Sequence, residues 1–133
     1  MNDDERRERG MRVRRDILGD PHVDASIART TEFTQEFQDL ITRYAWGEIW
    51  TRPGLPRNTR SLVTLGMLIA LGLDDEFQMH VRASAAAGVS RAEVKELLLQ
   101  SAIYCGVPAA NHAFRLAERT FAAMDADEQQ PPR

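Results

Sequence analysis

The sequence predicts an all-α fold: a single-domain bundle of about six helices. Three observations carry this prediction. Apolar residues recur at three- and four-residue spacing through most of the chain. Proline and glycine gather at a few points that separate these stretches. No strand-like alternation competes with them. The helical domain is expected over residues 1–124, with 125–133 a polar, fraying C-terminal tail.

Taken in order, residues 4–18 form a charged amphipathic stretch that stops at Gly19-Asp20-Pro21. Residues 24–42 set Ile27, Phe33, Phe37, Leu40 and Ile41 at helical spacing, which predicts one helix with an apolar face. The segment Tyr44 to Trp50 holds both tryptophans around Glu48. It runs into Thr51-Arg52-Pro53-Gly54-Leu55-Pro56, a loop because two prolines flank a glycine. The stretch from Asn58 to Gly72 is apolar nearly all round, which predicts a central buried helix. Asp74 is placed to cap a helix over 75–87, closed by Gly88. Ser90-Arg91-Ala92-Glu93 spells a capping box and opens a helix ending before Gly106-Val107-Pro108. Pro108 begins the last helix, through Phe121 and Met124.

At 133 residues the chain has the length of one domain. Its 43% apolar content suits a compact globule, and its net charge of −3 lacks the basic excess of a nucleic-acid binder. No apolar run approaches membrane-spanning length, and the opening residues lack the layout of a secretory signal. A lone cysteine, Cys105, leaves no internal disulfide and no CxxC pair. A cytoplasmic protein without nucleic-acid or membrane partners is the expectation. The aromatic supply (Phe33, Phe37, Trp46, Trp50) and the apolar stretch over 61–71 predict further burial between subunits.

There is no HExxH, no phosphate-binding glycine loop and no nucleophile elbow, and no metal site is expected. Of three histidines, His22 follows a proline in an expected loop. His112 reads as a solvated helix side chain, with a site role as the alternative. His80 shares the apolar face of its helix with Phe77 and Ser84, as either a hydrogen-bonded core group or a buried acid/base. Glu48 would have a raised pKa if buried between Trp46 and Trp50; the alternative is a helix-surface carboxylate paired with an arginine. Arg52, Arg57 and Arg60 surround the Pro-Gly loop, either as ordinary surface charge or as guanidinium groups suited to a carboxylate substrate.

Four blocks carry a family resemblance: Tyr44 to Leu55, Thr59 to Leu65, His80-Val81-Arg82, and Gly106 to Asn111. Over about residues 10–123 the chain resembles the carboxymuconolactone decarboxylase family of the alkylhydroperoxidase D-like superfamily. The peroxidase members of that superfamily carry a glutamate, a CxxC pair and a histidine. Counted back from His80, the cysteine positions hold Leu73 and Glu76, and the glutamate position holds Ser61. Thiol peroxide chemistry needs an attacking and a resolving thiol, so a peroxidase or redox role is the weaker alternative. A non-enzymatic helical oligomer is another.

The resemblance implies cofactor-independent decarboxylation of 4-carboxymuconolactone to 3-oxoadipate enol-lactone, in the protocatechuate branch of the β-ketoadipate pathway (aromatic catabolism). It implies His80 as proton or oxyanion donor and Glu48 as a second catalytic residue, tuning His80 or excluding water. Arg52 and Arg60 would bind the acetate arm or lactone, and Trp46 and Trp50 would wall the site. No cofactor is required, since the substrate is its own electron sink. A homo-oligomer is implied too, a hexameric ring with the pocket near a subunit boundary.

Overall fold

The computed structural model describes residues 1–129. Seven α-helices and one π-helical segment account for most of them, and no strand occurs among the described residues. The all-α expectation holds. The chain divides into two compact units, Met1–Arg57 and a second beginning at Asn58.

In the first unit, α1 (Asp3–Leu18) is capped by Asn2, whose side chain accepts from the Glu5 amide. Asp3, Asp4 and Glu5 load its first turn with negative charge, where the helix dipole favours it. Gly19, at φ +87°, ends the helix. The Gly-Asp-Pro sequence stops α1 but also starts α2 (Asp20–Arg29), with Pro21 in its first turn. A proline there sacrifices an amide that lacks a helical partner anyway. His22 is therefore helical rather than in a loop.

The single helix expected over 24–42 is two, α2 and α3 (Gln35–Ile41), separated by Thr30 to Thr34. The threonines cause the break. The Thr30 hydroxyl donates to the Ser26 carbonyl at 2.9 Å, and the Thr34 hydroxyl accepts from the Thr31 amide at 2.9 Å. Such local bonds give the backbone an alternative to the helical ladder. From α3 the chain passes directly into a π-helix, Thr42–Ile49, which packs along α1. Its signature is the Trp50 amide donating to the Ala45 carbonyl, five residues back, at 2.9 Å. The expected loop follows.

In the second unit, α4 (Arg57–Leu71, starting one residue before it) is not buried all round. Ser61, Leu65 and Ile69 form a buried stripe at four-residue spacing, whereas Val63, Met67 and Leu71 are 44%, 59% and 69% exposed. Residue type alone does not choose a face when both faces are apolar. Helix α5 (Asp74–Ala83) follows Gly72, at φ +70°. Its N-cap is Leu73, with no side-chain cap, so Asp74 does not serve as expected. The helix also stops at Ala83 rather than 87. The Ser84 hydroxyl donates to the Val81 carbonyl at 2.7 Å, and Ser84 to Gly88 form turns.

The capping box of α6 (Arg91–Tyr104) is present in full: the Ser90 side chain accepts from the Glu93 amide, and Glu93 accepts from the Ser90 amide at 3.0 Å. Helix α7 (Val107–Gln129) lays Ala110, Ala113, Leu116, Ala117 and Thr120 against the core. That core joins Leu65, Phe77, Val81, Val94 and Leu98. The stretch expected to fray is helical to Gln129. Arg91 grips Asp125 through two bonds of 3.0 and 2.7 Å and lies over the Phe121 ring, while Arg82 reaches Asp127 at 3.4 Å. The rest of that stretch, 130–133, lies outside the described residues.

Candidate active site

The first unit brings four of the expected site residues onto one short piece of backbone. Trp46, Glu48 and Trp50 come from the π-helix and its cap, and Arg52 stands in the turn that follows. The two indole rings stack, centroids 5.1 Å apart and planes 25° from parallel, an offset arrangement aromatic rings favour. Trp46 is buried and Trp50 half-buried. The Thr51 hydroxyl donates to the Gly47 carbonyl at 2.8 Å, closing the π-helix where the loop begins.

Glu48 takes the second of its two sequence readings. It is not enclosed by the rings. Its carboxylate accepts from Arg6 Nε at 2.9 Å. This bond, with Arg52 and Arg9 adding positive potential, holds its pKa below the usual carboxylate range rather than above it. The same bond raises the Arg6 pKa. Arg6 also bonds Asp3 at 2.7 Å and lies over the Tyr44 ring. Nothing in the motif blocks points to Arg6, which sits in an arginine-dense stretch that reads as a solvated face.

The second unit carries Arg60 and His80. Arg60 is half-buried in the first turns of α4, and its Nε is shielded from solvent. His80 is 8% exposed, with a buried Nδ1, on the face of α5 that also presents Phe77 and Ser84. The expectation of an imidazole on an apolar face is met.

Two of the remaining candidates, Arg57 and His112, have structural partners. Arg57 faces Asp16 at 3.8 Å. His112 Nε2 lies 2.8 Å from the Asp74 carboxylate, which joins α7 to the start of α5, and both side chains are about half exposed. The pair stands at a small hollow of about 120 Å³ floored by Leu68, Phe77 and Ala113. His22 has its pKa lowered, first by burial and then by Arg14 and Arg29. A more open groove of about 350 Å³ runs between α4 and α6, lined by Leu62, Val63, Leu97, Ser101 and Cys105. Neither hollow is lined by His80. Among the described residues no group of three or more His, Cys, Asp or Glu side chains is gathered to hold a metal. Among the described residues no helix is long and apolar enough to cross a membrane.

The first unit thus holds a stacked indole pair and a carboxylate bonded to an arginine, and the second holds a shielded imidazole. With a single cysteine, the chain has no thiol pair for redox chemistry. The model of the carboxymuconolactone decarboxylase family matches residues 35–119, which include the π-helix, Arg60 and His80. The 4-carboxymuconolactone decarboxylase of Acinetobacter baylyi is 50% identical over 121 residues, covering 91% of this chain and 90% of that protein. The nitrosuccinic acid decarboxylase of Metarhizium robertsii is 40% identical over 115 residues, covering 86% of this chain and 80% of that protein. A 4-carboxymuconolactone decarboxylase sequence of Pseudomonas putida is 46% identical over 48 residues, 36% of this chain and 100% of that sequence. On the extent of these matches, the chain belongs to the carboxymuconolactone decarboxylase family.

Proposed function

We propose that the protein decarboxylates 4-carboxymuconolactone to 3-oxoadipate enol-lactone without a cofactor, as a cytoplasmic homo-oligomer. The observation that carries the reading is His80, a shielded imidazole on an apolar helix face, in a chain 50% identical to a protein named for this reaction.

The substrate bears its leaving carboxylate and an acetate arm on one ring carbon. When the bond to CO2 breaks, its electron pair forms a new ring double bond. The former ring double bond shifts toward the lactone carbonyl, giving a dienolate. A proton delivered to the carbon beside that carbonyl completes the enol-lactone. One CO2 leaves, one proton is taken up, and no electrons are gained or lost. The protein must hold two carboxylates, stabilise the dienolate oxygen and deliver one proton.

His80 is assigned the proton or oxyanion donation. Arg52 and Arg60 take the acetate arm or lactone, a task suited to the guanidinium fork. Trp46 and Trp50 provide an apolar wall that leaves a departing carboxylate poorly hydrated and favours neutral CO2. Glu48, ionised against Arg6, serves as a fixed negative charge rather than as a proton donor.

The substrate in the Metarhizium relative's name offers a comparable route for the electron pair. Loss of the carboxylate beside a nitro group leaves the electron pair on the nitro oxygens and also spares a carboxymethyl arm. Both named substrates supply their own electron sink, so a site that holds anions and moves one proton serves either. Assembly is supported by the apolar side chains left outside on α4 and α6: Met67, Leu71, Ile103 and Tyr104 are 59%, 69%, 79% and 84% exposed. The test is to mix purified protein with freshly generated 4-carboxymuconolactone and follow CO2 release and lactone absorbance with no additive. Turnover supports the reading; its absence under conditions where the Acinetobacter protein is active overturns it.

A further inference from the structure

We propose that α1 is a register clamp for the π-helix, with Arg6 and Arg14 as positioning residues for Trp46, Glu48 and Trp50. This rests on the assignment of those three residues to the site.

An eight-residue π-helix is unusual, because i to i−5 bonding is poorer than the α pattern and normally survives for about a single turn. Something outside it must favour it. Arg6, Gly10 and Arg14 follow one another at four-residue steps, so they share one stripe of α1 over about 12 Å. All three meet the π-helix. At one end, Arg6 binds Glu48. In the middle, the Gly10 α-carbon lies against the Thr42 carbonyl and Gly47 against the Arg6 carbonyl; a Cβ on either would overlap backbone. At the other end, Arg14 donates to the Thr42 hydroxyl at 3.4 Å, and also to Ser26 at 3.1 Å and Gln38 at 3.2 Å.

Thr42 is where α bonding yields to π bonding. Its amide is shared between the Asp39 and Gln38 carbonyls, and its hydroxyl donates to the Gln38 carbonyl at 2.7 Å. Arg14 is 6% exposed, and its hydrogen-bond partners are uncharged oxygens. Burying a guanidinium on neutral partners opposes folding, and here the residue it holds is the first of the π-helix. Reversion to α register would turn the later side chains by about 100° for each residue of slip. Glu48 would leave Arg6, and the overlap of the two indoles would change.

The test reads the indole pair directly. Tryptophans held in fixed, asymmetric surroundings give near-ultraviolet circular-dichroism bands, and Trp50→Phe identifies the part of the band that depends on the pair. Arg14→Met and Arg6→Met should each cut the band by about half or more while far-ultraviolet helicity stays. Turnover should fall through kcat on the order of tenfold to a hundredfold, with KM moving less. Exchanging the charges, Arg6→Glu with Glu48→Arg, should recover much of the band. A wild-type band in both methionine variants overturns the clamp. Should Arg14→Met fail to fold, Arg6→Met and the charge exchange decide alone. The band is read without substrate, so its loss in the variants of a protein that does not turn over the lactone would sink the decarboxylase reading and leave the clamp standing.

Discussion

His80 and Glu48 are both ionisable groups, yet their surroundings differ. His80 is buried on α5, and its removal should leave helicity unchanged while lowering turnover on the order of a hundredfold or more, the usual effect of losing one preorganised donor. Steady-state kinetics of His80→Ala beside its thermal melt checks this; near-normal turnover excludes the role. Glu48 is held ionised by Arg6, and this pair has a definite pH signature. Because its folded pKa lies below the ordinary value of 4.5, its contribution to stability is fully present above that value. It disappears as pH falls through the lowered folded value. The stability gap between wild type and Glu48→Gln should therefore be open at neutral pH and close in acid. Denaturant melts at both ends measure it, and a gap that widens in acid contradicts the pairing.

At the scale of elements, what was legible depended on whether the signal was local. The capping box at Ser90, the loop with two prolines and the breaks at Gly72 and Gly106 depend on neighbours in sequence, and the structure has them where expected. Ser90→Ala should accordingly cost about 1 kcal/mol, read by denaturant titration. The break at Thr30 to Thr34 was hidden because apolar spacing continues across it, while threonine hydroxyls divert the backbone. The π-helix was hidden more deeply. Nothing in Thr42 to Ile49 distinguishes i−5 from i−4 bonding; the preference comes from α1, which ends 24 residues before Thr42. One clue was present: Gly10, a glycine inside a helix, which costs about 1 kcal/mol against alanine unless something approaches closely. Gly10→Ala reverses the usual gain and should destabilise, since its methyl would meet the Thr42 carbonyl. The blocks around Trp46, Glu48 and His80 marked the candidate site, whereas Arg6 was invisible as Glu48's partner because only the fold joins residues 42 positions apart.

For the whole molecule, apolar surface tells folding from assembly. Leu65 is fully buried, and Leu65→Ala should destabilise by about 2–5 kcal/mol. Met67, two residues on, is 59% exposed; Met67→Lys should change the stability of an isolated chain by less than about 0.5 kcal/mol. If α4 and α6 form the surface between copies, the same substitution lowers the mass seen by light scattering behind size exclusion. A wild-type protein that elutes as a monomer removes assembly from the account. The proposed chemistry rests on a substrate that serves as its own electron sink, leaving the protein to hold anions and hand over a proton. The most direct measurement is CO2 release from 4-carboxymuconolactone by dialysed, additive-free protein, run beside His80→Ala. Steady release by the wild type is expected, with a rate on the order of a hundredfold lower for the variant. No release by the wild type, or equal release by both, would contradict it.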